Sequence, residues 1–140
     1  MATATVSKEI LETHPAPAQL DRNLLARCID DCLACLQACT ACADADLAES
    51  DVAEMRRCIR LCLDCADVCD ATLRLLSRQT DYVAATARAQ VAACWELSAI
   101  CARECERHAE HHEHCRICGE LCRRCEQSCS AVLEAIGEPS

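Results

Sequence analysis

Cysteines stepping by three or four along four separate stretches constrain this chain more than any other feature. The first run is Cys28, Cys32, Cys35, Cys39 and Cys42, and the second is Cys58, Cys62, Cys65 and Cys69. The third is Cys94, Cys101 and Cys105, and the fourth is Cys115, Cys118, Cys122, Cys125 and Cys129. Alternating steps of three and four average the roughly 3.5-residue repeat that holds side chains on one inward seam of a packed helix. Each run is therefore a thiol stripe on one helix face. Between Cys94 and Cys101 the stripe skips one place, and Ser98 stands there.

The stripes have little else to pack against. The chain of 140 residues contains 17 Cys but no Phe, one Trp (Trp95) and one Tyr (Tyr82), so Ala, Leu and Cys supply most of its 52% apolar content. Free cysteine buries like a small hydrophobe. The same residues must then form both the interior and the chemistry. A net charge of −9 argues against nucleic acid or an anionic membrane surface as partner.

Pro15, Pro17, Gly137 and Pro139 lie near the chain ends, and Gly119 alone interrupts the long middle, which predicts an all-α chain. Residues 1–18 read as an amino-terminal lead in which Ser7 to Glu12 form a brief helix, stopped before His14-Pro15 because a residue preceding proline is pushed out of the helical region. Residues 19–140 read as an antiparallel up-down four-helix bundle with a Cys-lined core. The first helix runs from about Gln19 to about Ala48. The second starts with Ser50 as cap and Asp51 and Glu54 in its first turn, and ends near Ser77. Thr80 or Asp81 caps the third, which runs to about His111. The fourth begins near Glu113 and stops at Gly137-Glu138-Pro139. The amino terminus shows no uninterrupted apolar stretch and no twin arginine, so the expected location is the cytosol, where dense cysteine points to metal or redox chemistry before disulfides.

Thiols three or four residues apart on a helix offer two sulfurs to one ion. Disulfides along a continuous helix are disfavoured by their Cβ spacing and torsion. Soft thiolates select Cu(I), Zn(II) or iron–sulfur clusters. Structural zinc and iron–sulfur sites each need four ligands and neither calls for continuous stripes. Buried thiolate charge adds a second argument, because each uncompensated ion costs several kcal/mol. A monovalent ion restores neutrality at about one per thiolate, so the core favours on the order of 15–20 Cu(I) per chain.

With these stripes the chain resembles the bacterial copper storage proteins, over roughly Gln19 to Ile136, and by its amino terminus the cytosolic branch of that family. The resemblance implies Cu(I) sequestration in a four-helix bundle, a homotetramer and a short amino-terminal helix near one end. Ser98 departs from the pattern where a cysteine is the natural occupant.

In an up-down bundle Cys42, Met55, Cys58, Cys105, His108, His111, His112, His114 and Cys115 meet at one end. Extending the third stripe from Cys105 by three and then four reaches His108 and His112, and Met55 precedes Cys58 by three. Stripe phase, together with the resemblance, assigns His108 and His112 to metal entry. His111 and His114 are equally well explained as a solvated helix end. Met55 suits core filling and soft ligation alike. The stripe-end thiols Cys28, Cys94 and Cys129 are compatible with passive packing. Trp95, Leu97 and Ile100 read as packing residues, Ile29, Leu33 and Leu36 as a stripe completing a helix interface, and the surface acids as a solvated face.

The candidate metal ligands are therefore the 17 cysteines with His108, His112 and Met55. No nucleophile and base can be placed as an enzyme would need. The expected role is copper storage or buffering, with copper ions, a copper chaperone and a copper-enzyme donor or acceptor as partners. The alternatives are a zinc or iron–sulfur scaffold, or a thiol oxidoreductase built on one Cys-x-x-Cys pair with a low pKa.

Overall fold

The computed structural model describes residues 5–137. Residues 1–4 and the expected Glu138-Pro139 stop lie outside the described residues. The described chain is helical, without strands: α1 (Val6–Thr13), α2 (Arg22–Leu47), α3 (Arg56–Ser77), α4 (Ala84–His108) and α5 (Glu113–Ile136), with a 3-10 turn over Val52–Met55 ahead of α3.

Thr5 caps α1 by accepting the Lys8 amide at 3.3 Å, and the helix stops as His14 turns extended before Pro15. Leu11 is buried. The Arg22 guanidinium donates to the carbonyls of Glu12 (3.1 Å) and Ala16 (3.4 Å), tying this lead to the start of α2. Asp21 caps α2 through the Leu24 amide at 2.9 Å.

The boundaries on either side of α3 and α4 differ from the sequence expectation. Ser50 does not cap α3. Asp51 is turned toward His112, the 3-10 turn intervenes, and buried Met55 leads into Arg56 without a side-chain cap. Neither Thr80 nor Asp81 caps α4, which starts after Val83 with no side-chain cap. Asp81 instead takes a left-handed backbone at φ 53°, a conformation Asp tolerates better than most residues. The α4 helix ends at His108 rather than near His111, and the His111 and His112 amides both fold back onto the His108 carbonyl. His112 thereby becomes the residue before α5. The stripe extension from Cys105 holds to His108 and lapses beyond it. At the other end of α5, Gly137 at φ 77° closes the helix, a backbone that suits glycine.

The four long helices pack as a closed ring: α2 lies against α3 and α5, α4 lies against α5 and α3, and α1 packs on α2. At one end of the stripes each long helix contributes a fully buried aliphatic residue: Leu25 before Cys28, Leu76 after Cys69, Val91 before Cys94 and Val132 after Cys129. These four, with Leu11 from α1, belong to one buried cluster with the cysteines. Ile29 is buried and Leu36 partly so, but Leu33 is 53% exposed. Trp95 is 41% exposed, while Leu97 packs against the core. Among the described residues no helix is long and apolar enough to cross a membrane.

Candidate metal centre

All 17 cysteines are buried and free. Their sulfurs stack in levels along the space between the four helices. At the aliphatic end Cys28 and Cys129 lie 3.9 Å apart, with Cys32 completing a group of three. Next comes a square with one thiol from each long helix, Cys32, Cys69, Cys94 and Cys125, whose sulfurs approach to 3.8–3.9 Å. Cys35, Cys39, Cys65 and Cys122 follow. Here the α4 corner is held by buried Ser98, whose hydroxyl lies 3.9 Å from Cys65 Sγ.

Cys118 links this level to the next, at 3.7 Å from Cys39 and 4.0 Å from Cys62. Cys62 also meets Cys101 and Cys105 at 3.8 and 3.9 Å, and Cys42, Cys58, Cys62 and Cys105 form a further group. The stack ends on a mixed group. Cys42 and Cys115 are 3.8 Å apart, and His114 Nδ1 lies 3.3 Å from Cys42 and 3.7 Å from Cys115. Cys115 donates to Asp46 Oδ1 at 3.6 Å.

Distances of 3.7–4.0 Å are far beyond a disulfide bond. With metal–sulfur bonds of about 2.3 Å, an ion between two such sulfurs subtends roughly 107–121°, between tetrahedral and trigonal. Spacing alone thus admits either a divalent or a monovalent ion. The continuity of the stack separates them, since a divalent ion in a closed four-thiolate site has no use for a shared column. Neighbouring thiols, led by Cys101, and then burial push the Cys39 and Cys122 thiols up. Hydrogen bonds from neighbouring thiols hold others down, Cys28 to about 6 through Cys129, and each ion that binds a protonated thiol must displace its proton.

The predicted opening contains the expected residues, differently engaged. His108 Nε2 lies 2.9 Å from Glu104 Oε2. His112 touches two carboxylates, Glu49 through Nδ1 and Asp51 through Nε2, and Asp51 holds its pKa above the ordinary value. The His112 ring centroid lies 6.5 Å from that of His108 and 5.6 Å from that of His114. Met55 is buried. His111 is exposed.

In the sequence His114 is equally well explained as a solvated helix end and Asp46 is not among the candidate ligands, yet both sit within the thiol stack. A signal existed for each. Asp46 continues the α2 stripe four residues past Cys42, and His114 precedes Cys118 by four. Asp46 is fully buried, and its Oδ2 has no hydrogen-bond partner among the described residues. Burial raises its pKa to about 6. A carboxyl whose folded pKa lies above its unfolded value of about 3.9 binds its proton more tightly when folded, so its ionisation costs stability as pH rises through about 6. Asp46→Asn is therefore expected to raise the melting temperature of the metal-free protein more at about pH 7 than at about pH 4, and equal gains at both would contradict this assignment.

A sequence profile of copper storage proteins matches residues 21–134. The chain belongs to the copper storage protein family. Among solved structures it is similar to the copper storage protein Ccsp of Streptomyces lividans loaded with 10 copper equivalents, at 52% identity and a TM-score of 0.91, covering 93% of this chain and 99% of that one. A second structure shows copper loading to a cytosolic copper storage protein of Streptomyces lividans with five coppers, at 55% identity and a TM-score of 0.81, over 82% of this chain and 96% of that one. The uncharacterized cysteine-rich protein YhjQ of Bacillus subtilis (strain 168) is 30% identical over 105 residues, 75% of this chain and 92% of its own length.

Proposed function

We propose that this chain stores Cu(I), holding on the order of 15–20 ions in a thiolate column enclosed by an antiparallel up-down four-helix bundle. The observation that carries the reading is the unbroken stack of buried, unbonded sulfurs at 3.7–4.0 Å. Pairings of Cys28 with Cys129, Cys42 with Cys115, Cys62 with Cys105 and Cys69 with Cys94 support the antiparallel order. The ligands are the 17 cysteines with His108, His112 and Met55 toward the opening, and Asp46 and His114 join them there. Residues 1–18 form a lead whose helix covers the aliphatic end, and residues 19–140 form the storage bundle. The protein is a carrier rather than an enzyme, acts in the cytosol as a homotetramer, and exchanges copper with a chaperone or a copper enzyme. Exposed Leu33, Leu63 and Trp95 suit subunit contacts.

Metal analysis of protein purified anaerobically from copper-supplemented cells tests this reading directly. Copper in large excess over zinc and iron is the expected result. Zinc at about four thiols per ion would favour the scaffold instead, and a metal-free protein with one reactive low-pKa thiol would favour an oxidoreductase.

Two variants probe the column and its opening. Ser98→Cys restores the missing α4 thiol beside Cys65 and is expected to raise capacity by about one Cu(I), by the same neutrality argument. An unchanged endpoint in anaerobic titration would refute it. Replacing His108 and His112 together with Ala is expected to change the rates of early uptake and of removal by a chelator, while capacity falls by only a few ions. Stopped-flow traces superimposable on those of the parent, at equal capacity, would return both histidines to a solvated role.

A further inference from the structure

Glu104 is an unusual side chain for a helix surface. It is only 5% exposed, and three cationic or ionisable side chains from two helices converge on it. One carboxylate oxygen, Oε1, takes Arg57 of α3 at 3.4 Å and Arg107 at 3.0 Å, while Oε2 lies 2.9 Å from His108 Nε2. Arg57 and Arg107 are 67% and 69% exposed, and ion pairs of such exposed groups contribute little stability. Burying a carboxylate is costly. The arginines alone therefore do not account for its position.

The contact with His108 does. An ionised carboxylate only accepts hydrogen bonds, so the imidazole nitrogen facing it must carry hydrogen. In the neutral ring the Nε2–H then points at Glu104, and the lone pair is left on Nδ1. A carboxylate holding the second nitrogen of a metal-binding histidine is the common means of fixing its tautomer and ring orientation. We propose that Glu104 is a positioning residue for copper uptake, holding His108 by Nε2 so that Nδ1 is presented to an incoming Cu(I). This rests on the reading of His108 as an entry ligand. Because Glu104 also pins Arg57, at the start of α3, it fixes that imidazole against the rim formed by α3 and α4.

The test separates the two ideas. In the metal-free protein, above the ordinary imidazole pKa of about 6.5, the ring-nitrogen shifts of His108 should report a protonated Nε2 and an unprotonated Nδ1, and Glu104→Ala should lose that preference. In stopped-flow Cu(I) uptake, Glu104→Ala should slow the early phase about tenfold, in the range typical for loss of such a partner, with Glu104→Gln, whose amide oxygen still accepts from Nε2–H, intermediate and total capacity unchanged. His108→Ala should show the same slowing, and the double variant should add nothing further. An early phase unaffected by Glu104→Ala but slowed by His108→Ala overturns the positioning role, as does an Nδ1–H tautomer in the parent. If His108→Ala itself leaves uptake unchanged, the entry reading fails, and the tautomer measurement still judges the hydrogen bond to Glu104. Melting curves of Glu104→Ala within a few degrees of the parent would exclude a general loss of packing.

Discussion

Anaerobic titration of the reduced chain with Cu(I) is expected to reach its endpoint at on the order of 15–20 ions, and the loaded protein should resist heating that unfolds the metal-free form. The endpoint follows from charge. A column of 17 buried cysteines loses a proton for each thiolate formed, and a monovalent ion returns the site to neutrality one thiolate at a time. The stability follows from linkage. Each ion at a free concentration 100-fold above its dissociation constant adds about 2.7 kcal/mol to the native state, so five such ions already match the roughly 5–15 kcal/mol of a typical domain. Thermal melts at increasing copper loading should therefore climb until no transition is seen below the boiling range. An endpoint near two to four ions, with a modest rise in melting temperature, would indicate discrete four-ligand sites and overturn the column.

Most of this was legible because one residue type carried both the packing and the chemistry. A 3.5-residue repeat of Cys28 to Cys42 or Cys115 to Cys129 defines a helix, its inward face and its ligands at once. Legibility failed at the ends of the helices, where side chains answer to partners distant in sequence. Asp51 has the composition of a first-turn acid but faces His112. Glu104 lies among surface charges in the sequence, and only the packing of α3 against α4 brings Arg57 to it. His112 continues the stripe on paper, yet the α4 helix has ended four residues earlier. Asp46 could have been found by applying to α2 the stripe extension applied to α4, whereas the same step back from Cys115 reaches His111 or His112 and passes over His114. Leu33 was grouped with Ile29 and Leu36, which likewise follow cysteines directly, yet of the three it is the exposed one.

The second large effect concerns what holds the metal-free fold together. Leu76 is fully buried beyond the last thiol of α3, in the cluster it shares with Leu25, Val91 and Val132. Its truncation removes apolar contacts and leaves a cavity, so Leu76→Ala is expected to destabilise the metal-free chain by about 2–5 kcal/mol, a large fraction of a typical domain's total. Its side chain offers no ligand atom to copper. In the loaded protein the ions join α2, α3, α4 and α5 through their thiolates, and binding free energy adds to folding free energy. Leu76→Ala should then melt far below the parent when metal-free, yet remain folded with undiminished capacity once loaded. Capacity falling in step with stability would show that the aliphatic end shapes the copper sites themselves, and that closing the tube and filling it are one function rather than two.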